Sequence, residues 1–163
     1  MYRYAMLFSF SLVFFSCELD EPVQPSTNLA SADIPAELAP HFESFQREAA
    51  KYGLEVDYAS ANVTAEIYDI DEGSVAGSCT TNGHTIRHIT IDQSFWSRAS
   101  HLTREMVIFH ELGHCILARG HTESAFQNGI CTSIMRSGLG DCADAYTTTN
   151  RDYFVEELFT VRE

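Results

Sequence analysis

The sequence has few basic residues. Among its 163 residues, 10 lysines and arginines stand against 23 aspartates and glutamates, and the net charge is −13 at pH 7. Such an acidic chain repels nucleic acid and anionic membrane surfaces, because both are negatively charged. The sequence also has no cluster of basic residues of the kind that nucleic-acid-binding domains carry. We therefore expect no nucleic acid among its partners.

Internal repeats are absent, and the apolar run at residues 6–15 is too short to cross a membrane as a permanent helix. This run follows Arg3 and leads to Ser16 and Cys17, a small residue before a cysteine. The arrangement resembles a bacterial lipoprotein signal. The resemblance implies that residues 1–16 are a signal peptide and that Cys17 becomes the lipidated N-terminus. A simple secretory signal that is cut nearby is the alternative.

Residues 17–33 are predicted to form a flexible tether, because they are polar, contain prolines and show no periodicity. The remaining residues, 34–163, suffice for one domain with a hydrophobic core but hardly for two. We expect an exported monomer in the bacterial cell envelope, at the outer membrane or the cell surface. Its contact with the membrane would be limited to the N-terminal lipid anchor.

The sequence contains no Cys-x-x-Cys pair, which argues against a zinc site built from thiolates. Apart from Cys17, four cysteines remain, and an even number in an exported chain suggests up to two disulfides. Four cysteines allow three connectivities. We prefer Cys131–Cys142 as the most local pairing, and Cys79–Cys115 follows by elimination.

The periodicity of the apolar residues predicts an α+β fold. From Leu38 to Tyr52 they recur in steps of four and three, which predicts an amphipathic helix. Residues 54–58 and 63–70 are rich in β-favouring side chains and are predicted strands. The order of helix, strands, long helix, loop and helix along the chain is typical of this fold class.

A hairpin and two further helices complete the predicted elements. Residues 73–92 contain two β-rich runs that meet at Asn82-Gly83, a strong signal for a short hairpin turn. A long helix is predicted for residues 100–119 and an irregular region for residues 120–149. Asn150 is the predicted cap of a final helix. The side chains of this helix that we expect to be buried are Tyr153, Phe154, Leu158 and Val161.

The predicted long helix contains the sequence HELGH. His110 and His114 are four residues apart, so their rings emerge from one helix face and can bind the same cation. Glu111 is rotated by about 100° from His110, which lets it act as a general base without ligating the metal. The apolar residues around the motif imply that both histidines are partly buried and need a partner. A metal ion is such a partner.

A third ligand is expected, because catalytic zinc sites use three protein ligands and a water. His121 is the nearest candidate, and Gly120 before it lets the chain turn at the end of the helix. Glu123 is the main alternative and would give a site of two histidines and one carboxylate. Further along, Met135 lies in CTSIMRSG, a stretch rich in turn-forming residues.

Three short motifs together resemble the metzincin clan of zinc endopeptidases. They are HELGH at residues 110–114, Gly120-His121, and SIM at residues 133–135, and their wording is close to that of matrixins and astacins. The resemblance covers roughly residues 67–159. It implies a small mixed, twisted sheet with an N-terminal helix and a zinc-binding helix. Below these would lie an irregular part with the methionine turn and a C-terminal helix.

The resemblance also implies a role for each matching residue. Zn²⁺ would be held by His110, His114 and His121, and Glu111 would be the catalytic base. Met135 would form a tight turn beneath the ligands. The cofactor expected for this chain is therefore a single zinc ion.

The spacing of the third histidine departs from the family pattern, which places glycine three residues and histidine six residues after the second histidine. Here Leu117 and Gly120 occupy those places, and His121 is seven residues on. We expect the extra residue to be absorbed by a helix that continues to Ala118 and Arg119 and turns at Gly120.

The first run of the hairpin is expected to bind substrate. An endopeptidase holds its peptide extended, and an exposed sheet edge supplies backbone hydrogen bonds for this purpose. In metzincins the edge strand above the zinc runs antiparallel to its neighbour, as a hairpin through Asn82-Gly83 requires. Small residues suit an edge that another backbone approaches closely. The expected upper rim of the cleft consists of Ser74, Val75, Ala76, Gly77, Ser78 and Cys79.

The sequence thus predicts a zinc-dependent endopeptidase that cleaves peptide or protein substrates with metal-activated water. One alternative is a non-peptidase zinc hydrolase that uses another acidic ligand. A second is a non-catalytic surface lipoprotein with a structural zinc, but such a site has no use for Glu111 as a base. The other histidines are expected to lie on the surface; among them are His41, His84, His88 and His101.

Overall fold

The computed structural model describes Leu29 and residues 32–70, 73–82, 85–138 and 140–160. The predicted signal peptide, Cys17 and most of the predicted tether therefore lie outside the described residues, as do Gly83, His84 and Val161. No helix in the described part of the chain is both long enough and apolar enough to cross a membrane.

The described residues form five helices and three strands, which confirms the α+β class. In chain order the elements are α1 (Ala39–Lys51), β1 (Val63–Tyr68), β2 (Gly77–Thr81), β3 (Arg87–Asp92), α2 (Gln93–Arg98), α3 (His101–Cys115), α4 (Gly140–Ala145) and α5 (Arg151–Thr160).

The three strands form one mixed sheet in the order β1-β3-β2. β1 pairs with β3 in parallel, and β2 pairs with β3 in antiparallel fashion, as the predicted hairpin requires. Ile89 and Ile91 of the central strand are fully buried. α3 packs against β2, β3 and α1. The sheet therefore places one edge strand, β2, directly beside the helix that carries HELGH.

The predicted amphipathic helix is α1, and its apolar stripe faces the core. Phe45 contacts Phe109 of α3 edge-on at 5.2 Å between ring centroids, and it contacts Phe159 of α5 at 5.0 Å. In α5, Phe154 is buried as predicted, whereas the prediction for Tyr153 is wrong because 43% of this residue is exposed. Aromatic contacts of Phe45 thus join α1 both to α5 and to α3, the helix that carries HELGH.

The strand predicted for residues 54–58 is wrong, because this segment has no strand pairing. Its polar groups form local bonds instead. Gln46 of α1 donates to the Val56 carbonyl at 2.8 Å, and the buried Tyr58 hydroxyl donates to the Phe42 carbonyl at 2.8 Å. Tyr58 is fully buried by packing under α1. Apolar composition therefore reflected burial here rather than membership of the sheet.

Two disulfides link the four cysteines of the described region, and both pairings match the predicted ones. Cys79 of β2 is bonded to Cys115 at the end of α3, and Cys131 is bonded to Cys142. Disulfides persist in oxidising compartments and are rare in the cytosol of mesophiles. The two bonds are therefore compatible with an exported protein.

Candidate metal centre

Three histidine rings converge on one point beside α3. The Nε2 atoms of His110 and His114 are 3.0 Å apart, those of His114 and His121 are 3.1 Å apart, and those of His121 and His110 are 3.3 Å apart. A tetrahedral zinc ion at 2.0–2.1 Å from each ligand requires nitrogens about 3.3 Å apart. The three residues form a group that could hold a metal ion.

Backbone carbonyls fix the orientation of two of these rings. The Nδ1–H of His110 donates to the Ile134 carbonyl at 2.6 Å, and the Nδ1–H of His114 donates to the Arg119 carbonyl at 2.6 Å. A proton on Nδ1 leaves Nε2 with its lone pair, and this lone pair points toward the common centre.

Burial also favours the neutral form of His110 and His114, which is the form that binds metals. Burial lowers the pKa of His110 to about 4, and the nearby His114 and His121 lower it as well, while the Ile134 carbonyl opposes the shift. Burial likewise lowers the pKa of His114. These two imidazoles can therefore bind a cation at neutral pH without first releasing protons.

The path from α3 to His121 differs from the predicted one. α3 ends at Cys115 rather than at Arg119. Ala118 then adopts a left-handed conformation with φ of 54°, and the Arg119 N–H donates back to the Gly113 carbonyl at 3.0 Å. The extra residue is therefore absorbed by a left-handed turn at Ala118, not by a longer helix that turns at Gly120.

This turn yields a testable consequence, because alanine is strained at positive φ and glycine is not. Ala118→Gly is expected to raise the free energy of unfolding by about 1 kcal/mol. Chemical denaturation of the zinc-loaded protein measures the change. Ala143→Gly, at a helical position of α4, is a matched control and should be destabilised. A loss of stability for Ala118→Gly as large as that of the control would contradict the assigned turn.

Glu123, the alternative third ligand, is not part of the group formed by the three histidines. Its carboxylate accepts hydrogen bonds from the backbone N–H and the hydroxyl of Ser137, and it lies 3.4 Å from Nε of Arg136. The bonds from Ser137 lower the pKa of this exposed carboxyl. The geometry therefore favours His121 over Glu123 as the third member of the group.

Met135 is fully buried and lies directly against α3. A Cβ built on Gly113 would come within 2.5 Å of its sulfur, so the glycine in HELGH is needed for this close approach. The Met135 carbonyl accepts the Thr122 N–H at 3.0 Å, next to His121. The turn at residues 133–136 therefore lies against all three histidine positions. Ile134 bonds to His110, and Met135 contacts Gly113, next to His114, and Thr122, next to His121.

Replacement of Met135 by leucine tests whether volume or sulfur matters at this position. Leucine has a similar volume, so Met135→Leu is expected to cost less than about 1.5 kcal/mol and to retain zinc. Met135→Ala leaves a cavity and should cost about 2–5 kcal/mol. Thermal unfolding and metal analysis measure both effects. Zinc loss from the leucine variant would mean that the sulfur of Met135, and not only its volume, is needed at the close contact with Gly113.

Glu111 is buried between α3 and the edge strand. A Cβ on Gly77 would lie 3.1 Å from its Cγ and from its Oε1. Burial raises the pKa of Glu111 to about 8, and a hydrogen bond from the Cys79 backbone N–H opposes the rise. The pKa of the carboxyl group is thus close to neutral pH, and the group has a fixed position against β2.

A cleft of about 830 Å³ runs past these groups. Residues 74–79, the predicted rim, line it together with Glu111 and the three histidines. The Ala76 carbonyl accepts the Asp92 N–H at 3.0 Å, so the backbone of Ala76 faces β3. Because antiparallel pairs alternate, the N–H and C=O groups of Gly77 and Cys79 point to the outer edge. One of them, the Cys79 N–H, meets Glu111.

Two residues of the site were missed as individuals by the sequence reasoning. Gly77 received no role beyond membership of the rim, although a glycine inside a strand often marks a close contact. Arg136 lines the cleft and has one buried guanidinium nitrogen, Nη1, without a hydrogen-bond partner among the described residues. No sequence signal separates this arginine from an exposed one.

The site therefore combines three converging imidazoles, a buried carboxyl group and an open cleft along a strand edge. We found no match to this chain among protein-family models, curated proteins or solved structures. Function must be inferred from the residues and from the geometry of the site itself.

Proposed function

We propose that this protein is a zinc-dependent endopeptidase of the metzincin type. The observation that carries the proposal is the convergence of three Nε2 atoms, from His110, His114 and His121, beside a buried glutamate in an open cleft. A structural zinc site is usually closed by four protein ligands, whereas a catalytic site has three and an open position. The number of converging ligands and the cleft therefore both support a catalytic role.

Each group has a part in peptide hydrolysis. The three histidines would hold zinc, which supplies a Lewis acid and lowers the pKa of a bound water to about 7. Glu111 accepts a proton from the water as its oxygen attacks the carbonyl carbon. It would then deliver this proton to the amide nitrogen as the C–N bond breaks, which releases the amine and the carboxylic acid and restores the Glu111 carboxylate. The contact with Gly77 and the hydrogen bond from Cys79 hold the carboxylate in place for both transfers.

We propose that the substrate lies extended along β2. The outward N–H and C=O groups of Gly77 can pair with the backbone of a peptide. Because this pairing does not involve the side chains of the peptide, peptides of many sequences can bind with similar affinity. β2 is half-buried at Gly77, Ser78 and Cys79 and exposed at Thr80 and Thr81, so a peptide can reach it. We also propose that the protein is exported and tethered as a lipoprotein through Cys17, and the two disulfides support export.

The experiment that tests the proposal combines metal analysis with a cleavage assay. Purified protein should contain zinc and cleave an unstructured protein such as reduced casein. Cleavage should stop with 1,10-phenanthroline and return on addition of zinc. His114→Ala should lose both zinc and cleavage, whereas His88→Ala, a histidine of β3 hydrogen-bonded to Thr64, should lose neither.

Two outcomes would point to the other functions considered. Zinc that is bound without cleavage of any peptide, but with hydrolysis of small esters or amides, would favour a non-peptidase hydrolase. Zinc that cannot be removed without unfolding, together with no hydrolysis, would favour a structural site. Cleavage that is indifferent to the chelator would contradict the proposal outright.

A further inference from the structure

A second group of metal-binding side chains lies away from the cleft, between α1 and the start of α3. His41 belongs to α1, and His101 and Glu105 belong to the first turns of α3. The ligand atoms of the three residues all lie within 4.8 Å of one another. His41 was expected on the surface, but only 4% of it is exposed. That expectation is therefore wrong for His41, while His101 is exposed as expected.

The buried histidine of this group lacks a partner. Nδ1 of His41 is inaccessible to solvent and has no hydrogen-bond partner in the described part of the chain. Buried polar atoms are nearly always paired, so an unpaired imidazole nitrogen at such a depth calls for an explanation. Its ring lies edge-on to Trp96 at 5.6 Å and is tilted by 32° against the ring of His101 at 4.8 Å. Those two aromatic contacts fix the ring without satisfying the nitrogen.

Charged groups of both signs lie near His41. Burial lowers the pKa of His41 to about 4; the nearby His101 and Arg104 lower it further, and Glu105 opposes them. The Arg104 guanidinium stacks over Trp96 at 4.7 Å, and its Nε donates to the Trp96 carbonyl, which fixes the position of this cation beside the group.

Glu105 supplies the negative charge in this group. The hydroxyl of Tyr146 and Nε of Arg151 donate to its Oε1 at 2.8 and 2.6 Å. The longer bonds are to Oε2, at 3.1 Å from Ser44 and 3.2 Å from Nη2 of Arg151. The carboxylate is therefore anchored through Oε1, and Oε2 is the oxygen whose bonds are more easily exchanged for a cation.

We propose that His41, His101 and Glu105 form a second site for a divalent transition-metal ion. Two imidazoles and a carboxylate are ligands that zinc, nickel and copper accept. A tetrahedral ion requires ligand atoms about 3.3 Å apart, so the group must contract on binding. The exposed ring of His101 can supply this movement by rotation. An ion at this position links α1 to α3, and it binds more weakly than an ion on the preformed group of His110, His114 and His121.

Zinc titration of the whole protein tests the proposal. The parent protein, freed of metal and titrated by calorimetry, should bind two zinc ions per chain, the second at least tenfold more weakly than the first. His101→Ala should bind one. Because His101 is exposed, this substitution should leave the fold intact, which circular dichroism verifies. His88→Ala, which removes a histidine of β3, should still bind two.

A variant without the first site separates this inference from the proposed peptidase. His110→Ala combined with His114→Ala should retain one weak zinc ion, and adding His101→Ala should remove it. One zinc ion per chain in the parent, or a weak ion that persists after His101→Ala, would overturn the second site. If the parent protein bound only the weak zinc ion and not the strong one, the proposed catalytic zinc would be contradicted instead.

Discussion

Replacing Glu111 by glutamine is expected to leave the zinc content unchanged and to lower kcat by about 10²- to 10⁴-fold. Glutamine has the size of glutamate, so the close contact with Gly77 persists. Its amide oxygen can still accept the Cys79 N–H, so the edge strand keeps its position. The amide cannot accept a proton from the attacking water, and only this step is lost.

The prediction separates a base from a ligand. A carboxylate that helped to hold zinc would reduce metal content when changed, whereas the converging donors are the imidazoles of His110, His114 and His121. Kinetics should show the loss in kcat, with KM for a peptide substrate changed little, because the cleft surface is the same. The measurement requires equal zinc occupancy in parent and variant, determined on the same samples.

Glu123→Gln is the matched control for this experiment. Glu123 lies two residues after His121, but its carboxylate is turned to Ser137 and Arg136. The control should keep both zinc and most of the activity. If Glu123→Gln lost zinc while Glu111→Gln cleaved at the parental rate, the roles assigned to both carboxylates would be wrong.

The sequence was sufficient to predict the part of the site that helical geometry determines. His110 and His114 share a face because four residues are close to one turn, and no tertiary contact is needed to bring them together. The hairpin was equally local, since its two strands follow each other and Asn82 begins the turn. Gly113 is a further local signal, because a glycine within a helix has a cost that some contact must offset, and this glycine packs against Met135.

Features that depend on tertiary contacts could not be read in this way. At Ala118 an alanine occupies a left-handed position that favours glycine. The hydrogen bond from the Arg119 N–H to the Gly113 carbonyl keeps Ala118 in this conformation. The burial of His41 depends on where α2 places Trp96. The segment at residues 54–58 has strand-like composition, yet the Val56 carbonyl and the Tyr58 hydroxyl are bonded to α1. In each case a specific contact, not the local preference of the residues, decided the conformation.

Removing the disulfide between Cys79 and Cys115 is expected to have the largest effect on stability. The bond closes a loop with a sequence separation of 36. By loop-closure entropy, its loss through Cys79→Ala and Cys115→Ala should lower the free energy of unfolding by about 4 kcal/mol. The loop between Cys131 and Cys142, with a separation of 11, should contribute about 3 kcal/mol.

The same bond should matter for activity, because it joins the edge strand to the metal-site helix. Cys115 lies one turn beyond Glu111 on α3, and Cys79 is the residue whose N–H contacts the Glu111 carboxylate. Without the bond, β2 is held at this point by its pairing with β3, by side-chain packing and by the hydrogen bond from the Cys79 N–H to Glu111. We therefore expect a lower kcat at full zinc occupancy, since the ligands do not depend on β2.

The other disulfide provides the matched control. Its removal is expected to reduce zinc content rather than kcat at full zinc occupancy. Cys131 and Cys142 flank the turn whose Ile134 carbonyl orients His110. Losing that bond should weaken zinc retention and leave the contact between Cys79 and Glu111 in place.

Alanine variants are preferable to thiol reductants, because dithiols bind zinc themselves. Both double variants are assayed below their melting temperatures with zinc content measured in parallel. Equal losses of kcat at equal occupancy would show that the link between β2 and α3 has no special part in positioning Glu111.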